Sequence, residues 1–169
     1  MKLTKNLILA SKSGVRASVL RGAGLDFDVQ VSGVDEAALK QAHSGTAKDL
    51  ALALAEAKAR AVYDVSPRDG LIIGADQILE CDGALYDKPG DMDEARANLL
   101  TFRGKTHFLV GAVALIENGD MVWSHCGRVA LTMRNFSDAF LDAYLAEAGP
   151  SILSSVQKGG FSKLVEKRT

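Results

Sequence analysis

A pattern of residues suited to binding phosphate follows the first apolar segment of the chain. Residues 11–16 read SKSGVR and come directly after residues 7–10, which are typical of a short buried strand. A helix that begins here would present unpaired backbone N–H groups and a partial positive charge. Ser11, Ser13 and Arg16 would add two hydroxyls and a cation suited to a phosphate chain. On its own the pattern favours an ordinary Ser-capped helix with a surface arginine, because the glycine spacing of known nucleotide-binding loops is absent.

A carboxylate lies at the end of a strongly apolar segment. Residues 71–76 read LIIGAD, which predicts a buried strand that ends at Asp76. Packing explains a charged residue here poorly, because strands of this kind are buried. Carboxylates at the carboxyl ends of strands often line ligand clefts in open α/β sheets. A turn residue at a strand end is the structural alternative, and we favour a functional role for Asp76.

Other polar residues are compatible with a site for a metal ion and phosphate, but each has a simpler explanation. Asp35 and Glu36 could offer an oxygen ligand to Mg²⁺. An acidic pair is equally typical of the first turn of a helix. Lys58 lies in an Ala- and Leu-rich helical segment and Lys88 in a Lys-Pro turn, and either could pair with phosphate. Taken singly, each lysine is better explained as a solvated surface residue.

Composition and spacing exclude several classes of function. The hydrophobic fraction of 47% and the charged fraction of 24% are those of a globular chain. A formal net charge of −1 leaves no overall basic field for a nucleic acid. The three histidines lack zinc-site spacing, no GxSxG motif is present, and Cys81 and Cys126 form no CxxC. No segment has the length of a membrane span or a signal-peptide core. We therefore expect a cytoplasmic protein with no nucleic-acid or membrane partner.

Strand and helix patterns are mixed along the chain. Asn118-Gly119 is the strongest hairpin signal, and it lies between two long apolar segments. The mixture predicts the α/β class, and the hairpin fits poorly with a simple doubly wound sheet. With no repeat or linker, we predict a single domain over residues 1–169. The predicted strands are 7–10, 27–31, 71–76, 108–116 and 121–133. The predicted helices are 15–24, 46–63, one that begins at Asp91 or Asp93 and ends at 101, and 138–148 with Ser137 as its N-cap.

Taken in order, six short motifs resemble those of the Maf family of nucleotide pyrophosphatases. They are SxSxxR, VDE, EAKA, IIGADQ, DKP and RGKTH, and the resemblance extends to about residue 155. It implies a mixed, elongated central sheet with helices and two lobes around a cleft, similar to inosine triphosphate pyrophosphatases. It also implies hydrolysis of a nucleoside triphosphate to a monophosphate and pyrophosphate by metal-assisted attack of water. Modified or non-standard substrates such as 7-methyl-GTP, 5-methyl-UTP, dTTP or UTP are implied, in a house-cleaning role.

The resemblance implies roles for individual residues. Ser11, Ser13 and Arg16 would cradle the triphosphate. Glu36 and Asp76 would hold a divalent cation, Mg²⁺ or Mn²⁺, and Asp76 would be the main catalytic acid, which binds metal or activates water. This chemistry rests on cations and positioning, because the transition state carries its charge on phosphoryl oxygens.

Lys58 and Lys88 would join the catalytic set by contacting the phosphates and neutralising their charge. Gln77 and Gln157 would bind substrate, and the Asp-Gln form of the IIGADQ motif resembles the branch that acts on 7-methyl-GTP. Val15 stands where the family usually carries an arginine, and loss of such a contact costs about 1.5–3 kcal/mol. The C-terminal stretch matches the family pattern loosely, and we expect it to be truncated or atypical. These departures leave open a nucleotide-binding or regulatory protein with reduced or no catalysis. A homodimer is implied by the resemblance alone.

Overall fold

The computed structural model describes residues 5–65, 70–154 and 164. Within these residues the chain forms a six-stranded mixed sheet and five helices, followed by a 3₁₀ helix (Gly149–Ser154). The strands are β1 (Leu7–Leu9), β2 (Asp28–Val29), β3 (Leu71–Cys81), β4 (Ala84–Tyr86), β5 (Thr106–Glu117) and β6 (Asp120–Thr132). The helices are α1 (Gly14–Gly22), α2 (Glu36–Ala42), α3 (Ala47–Val65), α4 (Met92–Phe102) and α5 (Asp138–Ala148).

The sheet has the order β2-β1-β3-β5-β6, and β4 pairs with β3 outside this path. β1 pairs in parallel with both β2 and β3, whereas β4 runs antiparallel to β3. Asn118 and Gly119 join β5 to β6 with φ angles of 52° and 86°, the left-handed conformations that a two-residue hairpin turn requires. The predicted mixed α/β class, with an antiparallel hairpin, is confirmed.

The prediction that the strand after residue 70 ends at Asp76 is wrong. β3 continues for five more residues, to Cys81, and pairs with β4 through Leu79–Cys81. Its pairing with β1 runs only from Leu71 to Ile73. Asp76 therefore lies inside the strand, in the interval between these two pairings. A charge was expected to mark the end of a buried strand, but Asp76 is neutralised by neighbouring cations, which allows it an interior position.

The described residues divide into two compact units, and the prediction of a single domain stays a prediction. The first contains the chain up to Gln77 together with Gly111–Gly127. Its sheet residues alternate between two apolar clusters, as a strand period of two requires. Ile8 and Ile72 pack with Ala59 and Val62 of α3, whereas Leu7, Leu9 and Ile73 pack with Ala17 of α1. β1 and β3 are therefore covered on both faces.

The second unit contains Ile78–Val110 together with the described residues from Arg128 onward. Its core joins Leu79 of β3 with Leu99 and Phe102 of α4 and with Leu141 of α5. Ser137 caps α5 by accepting a hydrogen bond from the backbone N–H of Phe140, as the sequence predicts. In the part of the chain that is described, no helix combines the length and the apolar character needed to cross a membrane.

Candidate active site

A buried lysine and a buried aspartate form the centre of the site in the first unit. α3 buries a stripe at helical spacing that includes Leu54, Ala55, Lys58 and Val62. Lys58 thus lies on the packed face of the helix, and its side chain is only 7% exposed. The simpler explanation of Lys58 as a solvated surface lysine is therefore wrong. Its Nζ donates to Oδ1 of Asp76 at 2.5 Å, which supplies the charged partner that a buried ammonium needs.

Glu36 provides a second carboxylate to the same ammonium group. Its Oε1 lies 2.9 Å from Nζ of Lys58. The Glu36 side chain is 47% exposed and that of Asp76 is 9% exposed, so one carboxylate faces solvent and the other is enclosed. Asp35 has the structural role, because its side chain caps α2 by accepting from the backbone N–H of Ala38 at 3.0 Å. Of the two acidic residues, Asp35 therefore caps the helix and Glu36 contacts Lys58 in the site.

The first turn of α1 brings a third charged group, that of Arg16, toward Asp76. Ser13 is the N-cap and accepts from the backbone N–H of Arg16. The buried hydroxyl of Ser11 accepts from the backbone N–H of Ser13 at 3.2 Å and from Nη1 of Arg16 at 3.1 Å. Nη2 of Arg16 lies 3.9 Å from Oδ1 of Asp76. The segment is a Ser-capped helix, as the simpler explanation held, and its arginine turns inward instead of lying on the surface.

Gly74, to which the sequence motifs assign no role of its own, allows α3 to approach β3 closely. A Cβ at Gly74 would lie 1.9 Å from the carbonyl oxygen of Ala55 and 3.0 Å from Cβ of Ala59. Gly74 and Asp76 lie on one side of the strand, and Ala55 and Lys58 lie one helical turn apart. The glycine contact therefore holds the lysine at hydrogen-bonding distance from the aspartate. A glycine inside an apolar strand was the available signal.

These charged groups form a balanced cluster that can bind a polyphosphate together with a divalent cation. Glu36 and Asp76 carry negative charge and Lys58 and Arg16 carry positive charge, all linked by ion pairs. Arginine and lysine are suitable ligands for phosphate oxygens. Mg²⁺ is commonly held by one or two carboxylates plus substrate phosphates, and two carboxylate oxygens that converge on one ammonium fit this requirement. Among the described residues no group of three or more His, Cys, Asp or Glu side chains could hold a metal alone.

Site roles were also predicted for Lys88, Gln77 and Gln157. Lys88 is exposed in the loop between β4 and α4, in the second unit. Gln77 follows Asp76 on β3 and is half-buried. Gln157 lies outside the described residues. Val15 is 46% exposed in the first turn of α1. The roles predicted for Lys88, Gln77 and Gln157 stay predictions.

The RGKTH motif makes structural contacts within the second unit. Arg103 pairs with Asp138 at 2.6 Å, and its guanidinium lies 5.6 Å from the ring centroid of Phe136. Lys105 pairs with Asp82 at 2.7 Å, and this hydrogen bond raises the pKa of Lys105. These contacts give the two cations of the motif structural partners.

His107, the last residue of the same motif, is fully buried and stacks on Phe102 with ring centroids 5.5 Å apart. Burial lowers the pKa of His107. Neither ring nitrogen has a hydrogen-bond partner among the described residues. The ring therefore behaves as part of the apolar core and is held in its neutral form.

Comparison with known proteins shows the family to which this chain belongs. A family model described as Maf-like protein matches residues 6–164. The nucleoside triphosphate pyrophosphatase of Paramagnetospirillum magneticum is 46% identical over 152 residues, which cover 88% of this chain and 78% of that protein. The 7-methyl-GTP pyrophosphatase of Rhizobium meliloti is 42% identical over 153 residues, which cover 89% and 76%.

Solved structures show a likeness of fold at low sequence identity. The Ham1 protein of Staphylococcus aureus has a TM-score of 0.51 and 14% identity, over 78% of this chain and 73% of that chain. A HAM1 protein of Coxiella burnetii has the same TM-score at 11% identity, over 79% and 75%. At these identities the likeness concerns the fold alone, and it agrees with the mixed α/β class predicted from the sequence.

Proposed function

Starting from the fact that the chain belongs to the family of Maf-like proteins, we propose that it is a nucleoside triphosphate pyrophosphatase. The proposal rests on the buried ammonium group of Lys58, which forms ion pairs with both Asp76 and Glu36. Arg16 forms a further ion pair with Asp76. This arrangement combines cations for a phosphate chain with carboxylates for a metal ion and a proton. The relatives named as nucleoside triphosphate pyrophosphatases support the same activity for this chain.

Binding of the phosphate chain falls to Arg16, Lys58 and the start of α1. Arg16 can form two parallel hydrogen bonds to a phosphoryl group. The first backbone N–H groups of α1 add donors and a partial positive charge. Ser11 orients Arg16 through the 3.1 Å hydrogen bond to Nη1, and its buried hydroxyl lies beside the same turn. We assign Lys88 a second phosphate contact, as the family resemblance implies.

The reaction transfers the α-phosphoryl group to water. The water oxygen forms a bond to the α-phosphorus, and the bond from that phosphorus to the oxygen bridging toward the β-phosphorus breaks. Pyrophosphate leaves with the bonding electron pair, and the proton lost by water passes to a carboxylate and then to solvent. Asp76 is the carboxylate assigned here, because it is enclosed and because its ion pairs with Lys58 and Arg16 fix its position. Lys58 and Arg16 stabilise charge that develops on the phosphoryl oxygens.

A divalent cation, Mg²⁺ or Mn²⁺, completes the proposed site, with Glu36 and Asp76 as its protein ligands. When bound, the cation would polarise the phosphoryl group as a Lewis acid. The two carboxylates are suitable because hard divalent cations prefer oxygen ligands and because one oxygen of each lies within 2.9 Å of Nζ of Lys58. The remaining coordination positions would be filled by water and substrate phosphates.

We propose a modified or non-standard nucleotide as the substrate. Support comes from the relative named 7-methyl-GTP pyrophosphatase and from Gln77, which gives the motif its Asp-Gln form. Gln157 is assigned a substrate contact on the same resemblance. We also propose a cytoplasmic location and a homodimeric state. Sedimentation equilibrium at several protein concentrations would test the homodimer.

The direct experiment measures pyrophosphate release from a panel of nucleotides with Mg²⁺ or Mn²⁺. The panel contains 7-methyl-GTP, 5-methyl-UTP, pseudo-UTP, dTTP, UTP and ITP. Asp76→Asn should lower kcat at least about a hundredfold, because it removes both the proton acceptor and one metal ligand. Glu36→Gln should lower kcat less than Asp76→Asn does, because Glu36 is half exposed and its loss leaves Lys58 paired with Asp76.

Asp142→Asn is the matched control for the change of carboxylate to amide. Asp142 pairs with Arg96 on the exposed surface of the second unit, and we expect its substitution to leave kcat unchanged. Wild-type activity in Asp76→Asn, or no release of pyrophosphate from any nucleotide by the wild-type protein, would defeat the proposal. Melting curves of each variant separate lost catalysis from lost folding.

A nucleotide-binding protein with little catalysis is the second candidate. The observation in its favour is Val15, exposed in the first turn of α1 where the family usually carries an arginine. Ligand binding to the folded state raises the melting temperature. A nucleotide-dependent rise in Tm without pyrophosphate release would favour this second function over the first.

A further inference from the structure

The two carboxylates of the site are already engaged by a cation that belongs to the chain. Nζ of Lys58 lies 2.5 Å from Oδ1 of Asp76 and 2.9 Å from Oε1 of Glu36. An ammonium group has three donors and no acceptor, so two of its three hydrogens satisfy the two oxygens that a metal ion would also require. The same residue thus competes with a divalent cation for the same ligands.

The position of Lys58 makes this competition strong. Its side chain is almost fully buried on the packed stripe of α3, and the close contact of Gly74 with Ala55 fixes the helix against β3. A buried ammonium left without a partner is strongly unfavourable. Lys58 can therefore leave the carboxylates only when another anion takes their place as its partner.

The charge balance of the cluster indicates which anion this is. Glu36 and Asp76 together offset Lys58 and Arg16, so the cluster is neutral as it stands. A divalent cation alone would add uncompensated positive charge, and a polyphosphate alone would add uncompensated negative charge. The two ligands together partly offset each other's charge, since phosphate oxygens can take over Lys58 and Arg16 while the carboxylates take the metal ion.

We propose that Lys58 blocks the carboxylates against divalent cations until a phosphate chain binds, so that metal ion and nucleotide bind cooperatively and neither binds well alone. This inference rests on the proposed function for the identity of the ligands, and it adds an order of binding that the activity itself does not require. Lys58 has two alternative partners in this scheme: the carboxylates in the nucleotide-free protein and phosphate oxygens in the complex.

The test measures metal binding and needs no turnover. Equilibrium dialysis of Mn²⁺ against the protein, with total metal determined on both sides, gives the bound fraction with and without inorganic triphosphate. Dialysis corrects for Mn²⁺ chelated by free triphosphate, because that complex equilibrates across the membrane.

Lys58→Met keeps the apolar stem and removes the ammonium group. We expect it to bind Mn²⁺ alone about tenfold more tightly than the wild-type protein.

Loss of coupling is the second expected result. Triphosphate should raise the Mn²⁺ affinity of the wild-type protein by about tenfold or more. It should raise the Mn²⁺ affinity of Lys58→Met by clearly less, because this variant has no ammonium group that occupies the carboxylates. Arg60→Met is the matched control, because Arg60 lies on the same helix, pairs with Glu56 at 2.7 Å and carries the same charge. It should behave as wild type in both measurements.

Three results would overturn the inference. Lys58→Met could bind Mn²⁺ no more tightly than wild type, Arg60→Met could show the same gain, or the wild-type protein could bind Mn²⁺ equally with and without triphosphate. If Lys58→Met does not fold, Lys58→Gln provides the same comparison with a donor retained. The proposed function is judged separately, by pyrophosphate release. Coupled binding of Mn²⁺ and triphosphate without any pyrophosphate release would refute the proposed pyrophosphatase activity but not this inference.

Discussion

Substitution of Gly74 by alanine is the sharpest test of how the fold positions the site. The added Cβ would lie 1.9 Å from the carbonyl oxygen and 2.9 Å from the carbonyl carbon of Ala55. Both atoms belong to the backbone of α3, so a change of side-chain rotamer cannot relieve the clash. The helix and the strand must move apart at the point where Lys58 and Asp76 meet.

The size of the effect follows from these distances. A tolerated contact between carbon and a carbonyl oxygen is about 3.3 Å, so α3 must retreat by more than about 1 Å at Ala55. Overpacking of this kind costs about 1–3 kcal/mol, and the rigid obstacle places Gly74→Ala at the upper end of that range. A displacement of about 1 Å at a reacting centre can lower the rate about a hundredfold. We therefore expect a clear fall in Tm and about a hundredfold fall in kcat.

The assay combines pyrophosphate release with a thermal melt on the same preparation, at a temperature where the variant remains folded. Gly22→Ala is the control, because a Cβ at this position in α1 meets nothing within 4 Å and its φ lies outside the left-handed region. It should keep kcat and should not lower Tm. A Gly74→Ala protein with the kcat and Tm of wild type would show that close contact between helix and strand does not position Lys58.

Two further predictions concern the second unit. Ser137→Ala should lower the free energy of unfolding by about 1 kcal/mol, because α5 loses its N-cap, and pyrophosphate release should be unchanged; urea denaturation checks the first and the activity assay the second. The pKa of His107 is lowered by burial, so the unfolded chain takes up a proton near pH 6.5 whereas the folded chain resists it. Stability should therefore be complete above that pH and decline as the pH falls below it. His107→Leu should flatten this decline, and an unchanged acid dependence of the urea midpoint would contradict the reasoning.

Local signals in the sequence predicted most elements because each depends on neighbouring residues. Ser137 at the start of α5 and Asn118-Gly119 between β5 and β6 act within one turn of the chain, and the structure confirms both. α2 was not predicted as a helix because none of its residues is buried, which leaves no apolar period to detect. The end of the strand after residue 70 was placed wrongly, because the partners that neutralise Asp76 come from distant segments.

Some features of the site likewise depend on neighbouring residues in the sequence, whereas others depend on distant segments of the chain. The hydroxyl and arginine pattern at the start of α1 was visible in the sequence, but the inward direction of Arg16 depends on Asp76, sixty residues further along the chain. Lys58 occupies a position in the apolar stripe of α3 that its spacing from Leu54 and Ala55 already indicates. A lysine is normally assigned to the surface because burial of its charge is costly. Only the two carboxylates make the buried position acceptable, and their proximity is a property of the fold.

The elements that carry the cluster differ in how firmly they are held, and this difference bears on how the site can respond to a ligand. Asp76 and Lys58 lie on β3 and α3, which meet through the backbone contact at Gly74. Glu36 lies on a seven-residue helix without a buried residue, and its side chain is half exposed. Segments with few buried contacts move at the lowest cost in free energy. When a phosphate chain takes over the ammonium group, we expect Glu36 to adjust and Asp76 to stay in place, so that the enclosed carboxylate sets the geometry of the reaction and the exposed one accommodates the arriving ligands.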